Sequence, residues 1–214
     1  MELLLKSIIS AGQNILVFFF IPFVWWLIRY RKKENFFKFV GLSKPRIKTS
    51  IWSVAVFAII YIVVYKIDVL DFFVDEASAQ VVVASDAIQG SELYGVGMAA
   101  LLPAFFTNVV GNGLCEEVLF RGFILQRFKK KMGIWMAIIL QGVLFGAMHN
   151  VLFILGGISV TPLFHVGLLI STSLPGILCG ILNEKVFDGT STVPSILLHG
   201  LNNYWGSIRT AFML

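Results

Sequence analysis

The stretch GNGLCEEVLFRGF, residues 111–123, carries three ionisable side chains inside an otherwise apolar part of the sequence. Glu117 and Arg121 are four residues apart, so on a helix they share one face and are predicted to form an ion pair. Glu116 lies about 100° around the helix from Glu117, and the residue four positions after it is Phe120. Since no cation on its own helix neutralises Glu116, this carboxylate is the better candidate for a general acid or base.

Two histidines and an asparagine fall in later apolar stretches. His149 closes FGAMH, four residues after Phe145, and His199 opens HGLNN, with Asn203 one helical turn later. Each of these residues, taken alone, equally suits packing or bridging between helices. His165, near the edge of its own apolar stretch, has no polar company and is predicted to be structural.

Two chemistries fit a carboxylate, two histidines and an amide that converge from three helices. One is hydrolysis by a water that the carboxylate and an imidazole activate, while the second histidine and the amide stabilise the oxyanion. The other is a zinc site made by His149, His199 and a glutamate. The spacing selects neither, although the His-Glu-x-x-His pattern of zinc peptidases is absent. Cys115 and Cys179 have no base at helical spacing, so both are predicted to be buried apolar residues.

The composition predicts a membrane protein. Of the 214 residues, 57% are hydrophobic and only 14% are charged, whereas about 25% are charged in soluble domains. Eight of the 17 basic residues lie in 29–48 and four more in 127–131, and clusters that flank apolar spans determine topology rather than bind nucleic acid. We therefore expect a lipid bilayer as the surroundings and no nucleic-acid partner.

The predicted fold class is all-α, a polytopic helix bundle with about six transmembrane helices. Residues 1–92 are predicted to hold two N-terminal transmembrane helices, with a basic inner loop and an acidic outer loop, and residues 93–214 a four-helix catalytic core. The predicted spans are 8–28, 49–65, 93–126, 133–155, 162–182 and 193–208.

The distribution of basic residues predicts the orientation. With 29–48 and 127–131 inside, the acidic segment 66–92 lies outside, and both termini are extracytoplasmic in a multi-pass protein of the cell membrane. Measured along the helix axes, Glu116 lies about 16 Å from the basic boundary, His149 about 27 Å and His199 about 10 Å. Their mean depth lies in the half of the membrane on the basic, inner side. The site is therefore expected to open toward the basic side.

The order of three motifs resembles the CAAX protease and bacteriocin-processing family, also called the Abi family. The motifs are Glu-Glu-x-x-x-Arg at 116–121, Phe-x-x-x-His at 145–149 and His-x-x-x-Asn at 199–203. The tract LPGILCGILNEKVFDGTSTVPSILLHGLNN, with Gly176 and Gly180, is similar to the last two helices of that family. The resemblance covers about residues 93–210.

The resemblance implies a glutamate-dependent, metal-independent intramembrane endopeptidase without a cofactor, acting on a peptide or membrane-protein substrate. By carry-over, Glu116 and His149 activate the water, and His199 and Asn203 form the oxyanion hole. The supporting residues are Glu117, Arg121 and Phe145. Zinc bound at the glutamate–histidine cluster is the alternative within this class.

Two other functions fit the composition. A non-catalytic membrane scaffold that regulates a partner or confers bacteriocin self-immunity needs the fold but not the glutamate. A transporter also tolerates buried charges and glycine-rich helices, but no inverted repeat is visible in the sequence.

Overall fold

The structure, a computed structural model, describes residues 1–67, 69–84 and 95–213. The described residues form a helical bundle without β-strands, which confirms the predicted all-α fold class. The helices are α1 Glu2–Arg29, α2 Ile51–Lys66, α3 Glu76–Ala84, α4 Gly97–Met132, α5 Ile134–Leu155, α6 Pro162–Val186 and α7 Val193–Phe212. Two short helical turns are Phe36–Phe39 and Val69–Phe72.

Within the described ranges, five helices are long and apolar enough to cross a membrane, namely α1, α2 with the turn after it, α4, α5 and α6. The predicted sixth span is present as the 20-residue α7. It falls below the apolarity of the other five because it carries polar side chains: His199, Asn202, Asn203 and Arg209. The predicted start of the third span, at residues 93–94, lies outside the described residues, and so do residues 68 and 85–92 of the acidic segment. The predicted division at residues 92/93 also falls there.

Helix boundaries follow capping and glycine signals in the sequence. The Ser50 hydroxyl accepts a hydrogen bond from the Ser53 amide (3.3 Å) at the start of α2, and the Thr161 hydroxyl accepts one from the Phe164 amide (3.3 Å) at the start of α6. Gly133, with φ of 79°, separates α4 from α5. Because only glycine adopts this left-handed conformation without strain, the uncharged run after it begins a new helix.

One end of the bundle gathers the basic segments 29–48 and 127–131 with the turn 184–192, and we call it the basic end. The Lys48 amide donates to the Val186 carbonyl (2.9 Å), and the Thr192 amide donates to the Gly41 carbonyl (2.8 Å). The α1–α2 loop is therefore fixed to the α6–α7 turn. The α5–α6 connection and the short turn Val69–Phe72 lie at the opposite end.

Glycines allow the site-bearing helices to approach closely. A Cβ built on Gly113 of α4 would lie only 2.7 Å from the Gly200 Cα of α7. A Cβ on Gly176 of α6 would lie 3.2 Å from the Gly142 Cα of α5. The predicted small-residue helix containing Gly176 and Gly180 thus packs directly against α5.

The middle of α4 departs from regular α-helical geometry. Its segments Phe106–Leu114 and Val118–Leu125 have the wider i→i+5 hydrogen bonding of a π-helix, and they flank Cys115–Glu117. Such segments are rare and concentrate at functional sites. The irregularity therefore marks the part of α4 that carries both glutamates.

Candidate active site

A cavity of about 580 Å³ lies between α2, α4, α5, α6 and α7. The four residues predicted to be catalytic all line it: Glu116, His149, His199 and Asn203. Phe145, predicted to support them, lines it as well. Three separate stretches of sequence therefore converge on one space.

The predicted Glu117–Arg121 ion pair is present, and it lies behind the cavity wall. Arg121 Nη1 is 3.0 Å from Glu117 Oε1, with side-chain exposures of 1% and 0%. Arg121 Nη2 donates to the Gly176 carbonyl (2.9 Å), and its guanidinium lies 4.6 Å from the Phe145 ring centroid. Since full burial of one charge without the other is costly, this pair fixes α4 against α5 and α6.

His199 lies between the two glutamates. Its Nδ1 is 3.0 Å from Glu117 Oε1, and its Nε2 is 3.9 Å from Glu116 Oε2. Glu117 is paired with Arg121, so its carboxylate acts as the acceptor and Nδ1 carries the proton. Nε2 is consequently the ring nitrogen that faces Glu116 and the cavity. Glu117, whose supporting role stays a prediction, thus contacts a histidine of the cavity.

His149 is held by its own helix. Its Nδ1 lies 2.9 Å from the Phe145 carbonyl oxygen, which only accepts hydrogen bonds, so Nδ1 is the donor. The neutral ring then has its lone pair on Nε2. The Phe145 ring packs edge-on against His149 and His199, with centroid separations of 4.8 and 5.8 Å. Phe145 therefore acts as a spacer between the two imidazoles.

Glu116 provides an unused acceptor in this cavity. Its side chain is 12% exposed, and Oε2 is buried without a hydrogen-bond donor among the described residues. Buried carboxylate oxygens are nearly always hydrogen-bonded to protein or water. The Glu116 residue lines the same cavity as the histidines, so a water or substrate in the cavity would lie beside this carboxylate.

Among the other polar residues that line the cavity, Tyr65 and Asn112 were not selected by the sequence analysis. Tyr65, near the end of α2, donates from its hydroxyl to Asn203 Oδ1 over 3.4 Å. Asn112 lies four residues before Glu116, so helical spacing alone could have identified it. No local signal could have identified Tyr65, because its contact with Asn203 joins residues 138 positions apart.

The cavity extends away from the basic end. Its remaining walls include Ile67 and Leu70 after α2, Leu152 near the end of α5, and Ile158 in the α5–α6 connection. The expectation that it opens toward the basic side is therefore wrong.

The reason for this error is where the helices begin and end. Helix α4 extends to Met132, so Glu116 lies about 24 Å from its basic end, and His149 lies about 22 Å from the start of α5. Helix α7 begins inside the bundle, since Ser191 and Ser195 are 2% and 0% exposed. His199 therefore reaches the same depth from a recessed start.

The residues predicted to be structural do not line the cavity. His165 Nδ1 lies 2.7 Å from Asn150 Oδ1, in a separate contact between α6 and α5. Cys115 and Cys179 are buried free thiols. The Cys115 Sγ lies 3.3 Å from the Val110 carbonyl oxygen on its own helix, and Cys115 is not among the residues that line the cavity.

The zinc alternative depends on how the donors of the site are arranged. Within the described ranges, no group of three or more His, Cys, Asp or Glu side chains comes together with metal-binding geometry. Nδ1 of His149 is hydrogen-bonded to the Phe145 carbonyl, and Nδ1 of His199 is hydrogen-bonded to the Glu117 carboxylate. An engaged Nδ1 leaves Nε2 available, as in metal-bound histidines, so the zinc alternative stays a prediction.

Five of the described helices are apolar enough to cross a membrane, and a carboxylate and two imidazoles line one cavity between the helices of the bundle, which makes this cavity the candidate hydrolytic site. The family model of type II CAAX prenyl endopeptidases, Rce1-like, matches residues 98–205, which is 108 of the 214 residues. The chain belongs to this family and is a multi-pass membrane protease of that kind. Comparison with curated proteins and with solved structures finds no significant match.

Proposed function

We propose that the protein is a glutamate-dependent intramembrane endopeptidase that works without a metal ion or cofactor and cleaves a peptide or membrane-protein substrate. The observation that carries the proposal is the unpartnered Glu116 Oε2, which shares a cavity with the free Nε2 of His149. A water held between these two acceptors donates one hydrogen bond to each, and its lone pairs remain available to attack a carbonyl carbon.

In the proposed reaction the water oxygen attacks the peptide carbonyl carbon while its proton passes to the Glu116 carboxylate. The carbonyl electron pair moves onto oxygen. The oxyanion accepts hydrogen bonds from the Asn203 amide and from Nε2–H of the doubly protonated His199. The C–N bond then breaks, and the departing amine takes the proton from Glu116. A free carboxylic acid and a free amine are released, and the enzyme returns to its starting state.

The surrounding groups fix these donors before the reaction begins. Glu117 accepts from Nδ1 of His199 (3.0 Å) and directs Nε2 to the cavity. Tyr65 occupies Oδ1 of Asn203 (3.4 Å), which leaves the Nδ2 hydrogens of the amide for substrate. Preorganised donors of this kind stabilise a developing negative charge without reorganisation during the reaction.

The test is comparative peptidomics of cells that express the wild type, Glu116→Gln or His165→Gln at matched membrane levels. We expect peptides that appear with the wild type and with His165→Gln but are absent with Glu116→Gln. The same substrate is then given to purified protein with and without a chelator, and we expect equal rates. Full cleavage by Glu116→Gln would overturn the proposal, and loss with chelator would replace it with a metal mechanism.

The alternative is a non-catalytic scaffold that regulates a partner or confers bacteriocin self-immunity. It predicts identical peptides from all three strains together with a cellular phenotype that persists in Glu116→Gln. The experiment therefore separates the two functions directly.

A further inference from the structure

A second cavity, of about 650 Å³, lies at the basic end of the bundle. Its walls come from the α1–α2 loop, the last turns of α4 and the α6–α7 turn. No residue that lines this cavity also lines the candidate active-site cavity. The peptidase proposal makes no use of it.

The charge of this cavity is strongly unbalanced. Seven cationic side chains line it, against the two carboxylates of Glu34 and Asp188. The seven are Lys38, Lys44, Arg46, Arg121, Arg127, Lys129 and Lys130.

Three of the seven cations are already paired: Arg46 with Asp188 (2.7 Å), Lys129 with Glu184 (2.9 Å) and Arg121 with Glu117 (3.0 Å). The other four, Lys38, Lys44, Arg127 and Lys130, form no ion pair within the part of the chain that the structure describes. Such an excess of positive charge in a concave site attracts an anion.

Arg127 is a preorganised member of this group. Its guanidinium lies 4.2 Å from the Phe39 ring centroid, 5.0 Å from Phe123 and 5.4 Å from Tyr30. Its Nε is buried without a hydrogen-bond partner among the described residues. A planar guanidinium held by aromatic rings with an unused donor suits the oxygens of a phosphate group. The N-terminus of α7 borders the same cavity through Ser191 and Thr192 and adds the positive end of its dipole.

The cavity lies at the level of a membrane interface. Aromatic residues that favour the interface occur at the helix ends beside it: Trp25, Trp26, Tyr30, Trp52 and Trp135. Phosphate groups of lipids lie at that level, and basic pockets between transmembrane helices bind anionic headgroups.

We propose that this cavity is a binding site for a phosphate-bearing anion, and its position favours the headgroup of an anionic phospholipid as the source. Soluble phosphate esters share the chemistry and are distinguished by the experiment. The inference is independent of the proposed peptidase function.

The test compares two triple variants of the full chain purified in a maltoside detergent. The cavity variant is Lys38→Gln/Lys44→Gln/Lys130→Gln, and the control is Arg31→Gln/Lys32→Gln/Lys131→Gln, whose residues belong to the same segments but do not line the cavity. Both remove three positive charges, and all six side chains are exposed. Each protein is titrated with phosphatidylglycerol, phosphatidylcholine or glycerol phosphate, with bound ligand counted by native mass spectrometry and stability followed by tryptophan fluorescence.

We expect phosphatidylglycerol to bind the wild type and the control in preference to phosphatidylcholine, and to bind the cavity variant roughly tenfold more weakly or worse. Binding of glycerol phosphate with the same dependence on the three lysines also supports the site and assigns the soluble source. Equal weakening in both triple variants would overturn the proposal, because it would show diffuse surface attraction. Absence of binding by either phosphate source would overturn it as well.

Discussion

At the scale of single residues, each imidazole of the site has one nitrogen already fixed by a neighbour. His199 uses Nδ1 for Glu117 at 3.0 Å, and His149 uses Nδ1 for the Phe145 carbonyl at 2.9 Å. Both rings therefore present Nε2 to the cavity. Adjacent glutamates in sequence have divided roles as a result: Glu116 faces the cavity, and Glu117 orients a histidine from behind.

Asn203 and Tyr65 provide a residue-scale prediction. Asn203→Ala should lower kcat on the order of 10²–10³-fold, as the loss of one oxyanion donor does in other hydrolases. Tyr65→Phe should lower kcat by a smaller factor with little change in KM, because it loosens the amide without removing it. The measurement is kcat and KM on an identified substrate. Tyr204→Phe, which removes a hydroxyl beside Asn203 but outside the cavity, should have no effect, and an equal loss in both tyrosine variants would contradict this role.

At the scale of helices, close glycine contacts decide where the site residues meet. Gly113 precedes Glu117 by one turn, and Gly200 follows His199 directly. Their contact holds α4 and α7 at the distance at which the carboxylate and imidazole hydrogen-bond. A larger residue at either glycine would therefore push α4 and α7 apart, and its effect would not be confined to one helix.

Gly113→Ala should therefore destabilise the protein by about 1–3 kcal/mol, the range for overpacked cores, and lower peptidase activity further than the fall in stability explains. Gly12→Ala on α1 is the matched control, since a Cβ there meets nothing within 4 Å. Thermal unfolding and single-turnover cleavage of both variants give the comparison. Wild-type activity in Gly113→Ala would show that the α4–α7 contact does not position the site.

A second element-scale prediction concerns the connection opposite the basic end. The Asp75 carboxylate accepts hydrogen bonds from the Thr161 hydroxyl (2.6 Å), the Ser78 amide (2.9 Å) and the Ser78 hydroxyl (2.8 Å). These bonds lower the pKa of Asp75 to about 2 from its usual 3.8. They join the start of α3 to the start of α6.

Because the pKa of Asp75 is lower in the folded state, its contribution is complete above pH 3.8 and is lost as the pH falls toward 2. Asp75→Asn should lower the melting temperature by a few degrees near neutral pH and should remove this part of the acid dependence. Melting curves between pH 6 and pH 2 measure both effects. Asp71→Asn, at an exposed carboxylate on the preceding turn, should leave the acid dependence unchanged, and a wild-type acid profile in Asp75→Asn would refute the assignment.

At the scale of the whole molecule, the two cavities lie toward opposite ends of one bundle. The active-site cavity reaches Ile158 in the α5–α6 connection, while the basic cavity is closed by the α6–α7 turn. Arg121 connects them, because it borders the basic cavity and pairs with Glu117. The orientation of the bundle thus decides which compartment supplies each ligand.

The basic residues predict the orientation, with the basic end in the cytoplasm and both termini outside the cell membrane. Single cysteines at Gly157 and at Lys131, introduced into a chain lacking Cys115 and Cys179, test this topology. An impermeant maleimide added to intact cells should label the Gly157→Cys variant and should label Lys131→Cys only after lysis. The reverse pattern would invert the topology and place the basic cavity outside.

The helices and the candidate site residues could be predicted from the sequence alone. Apolar run lengths, interrupted by Gly133 and by the capped start at Thr161, define the helices, because a helix that spans lipid must satisfy its own backbone. Polar residues in those runs are costly, so Glu116, His149 and His199 were identifiable as functional candidates without knowledge of their contacts. The family motifs depend on the same local spacing.

How these residues come together depends on the packing between helices, which the sequence does not reveal. The recessed start of α7, the π-helical segments of α4 and the Tyr65–Asn203 contact leave no periodic signal. The direction of the cavity depends on helix ends and depths. The basic cavity depends on three segments whose lining residues lie as far apart in the sequence as Tyr30 and Thr192. Local spacing specifies which face of a helix a side chain occupies, whereas packing between helices, set here by glycine contacts, specifies which other side chain it reaches.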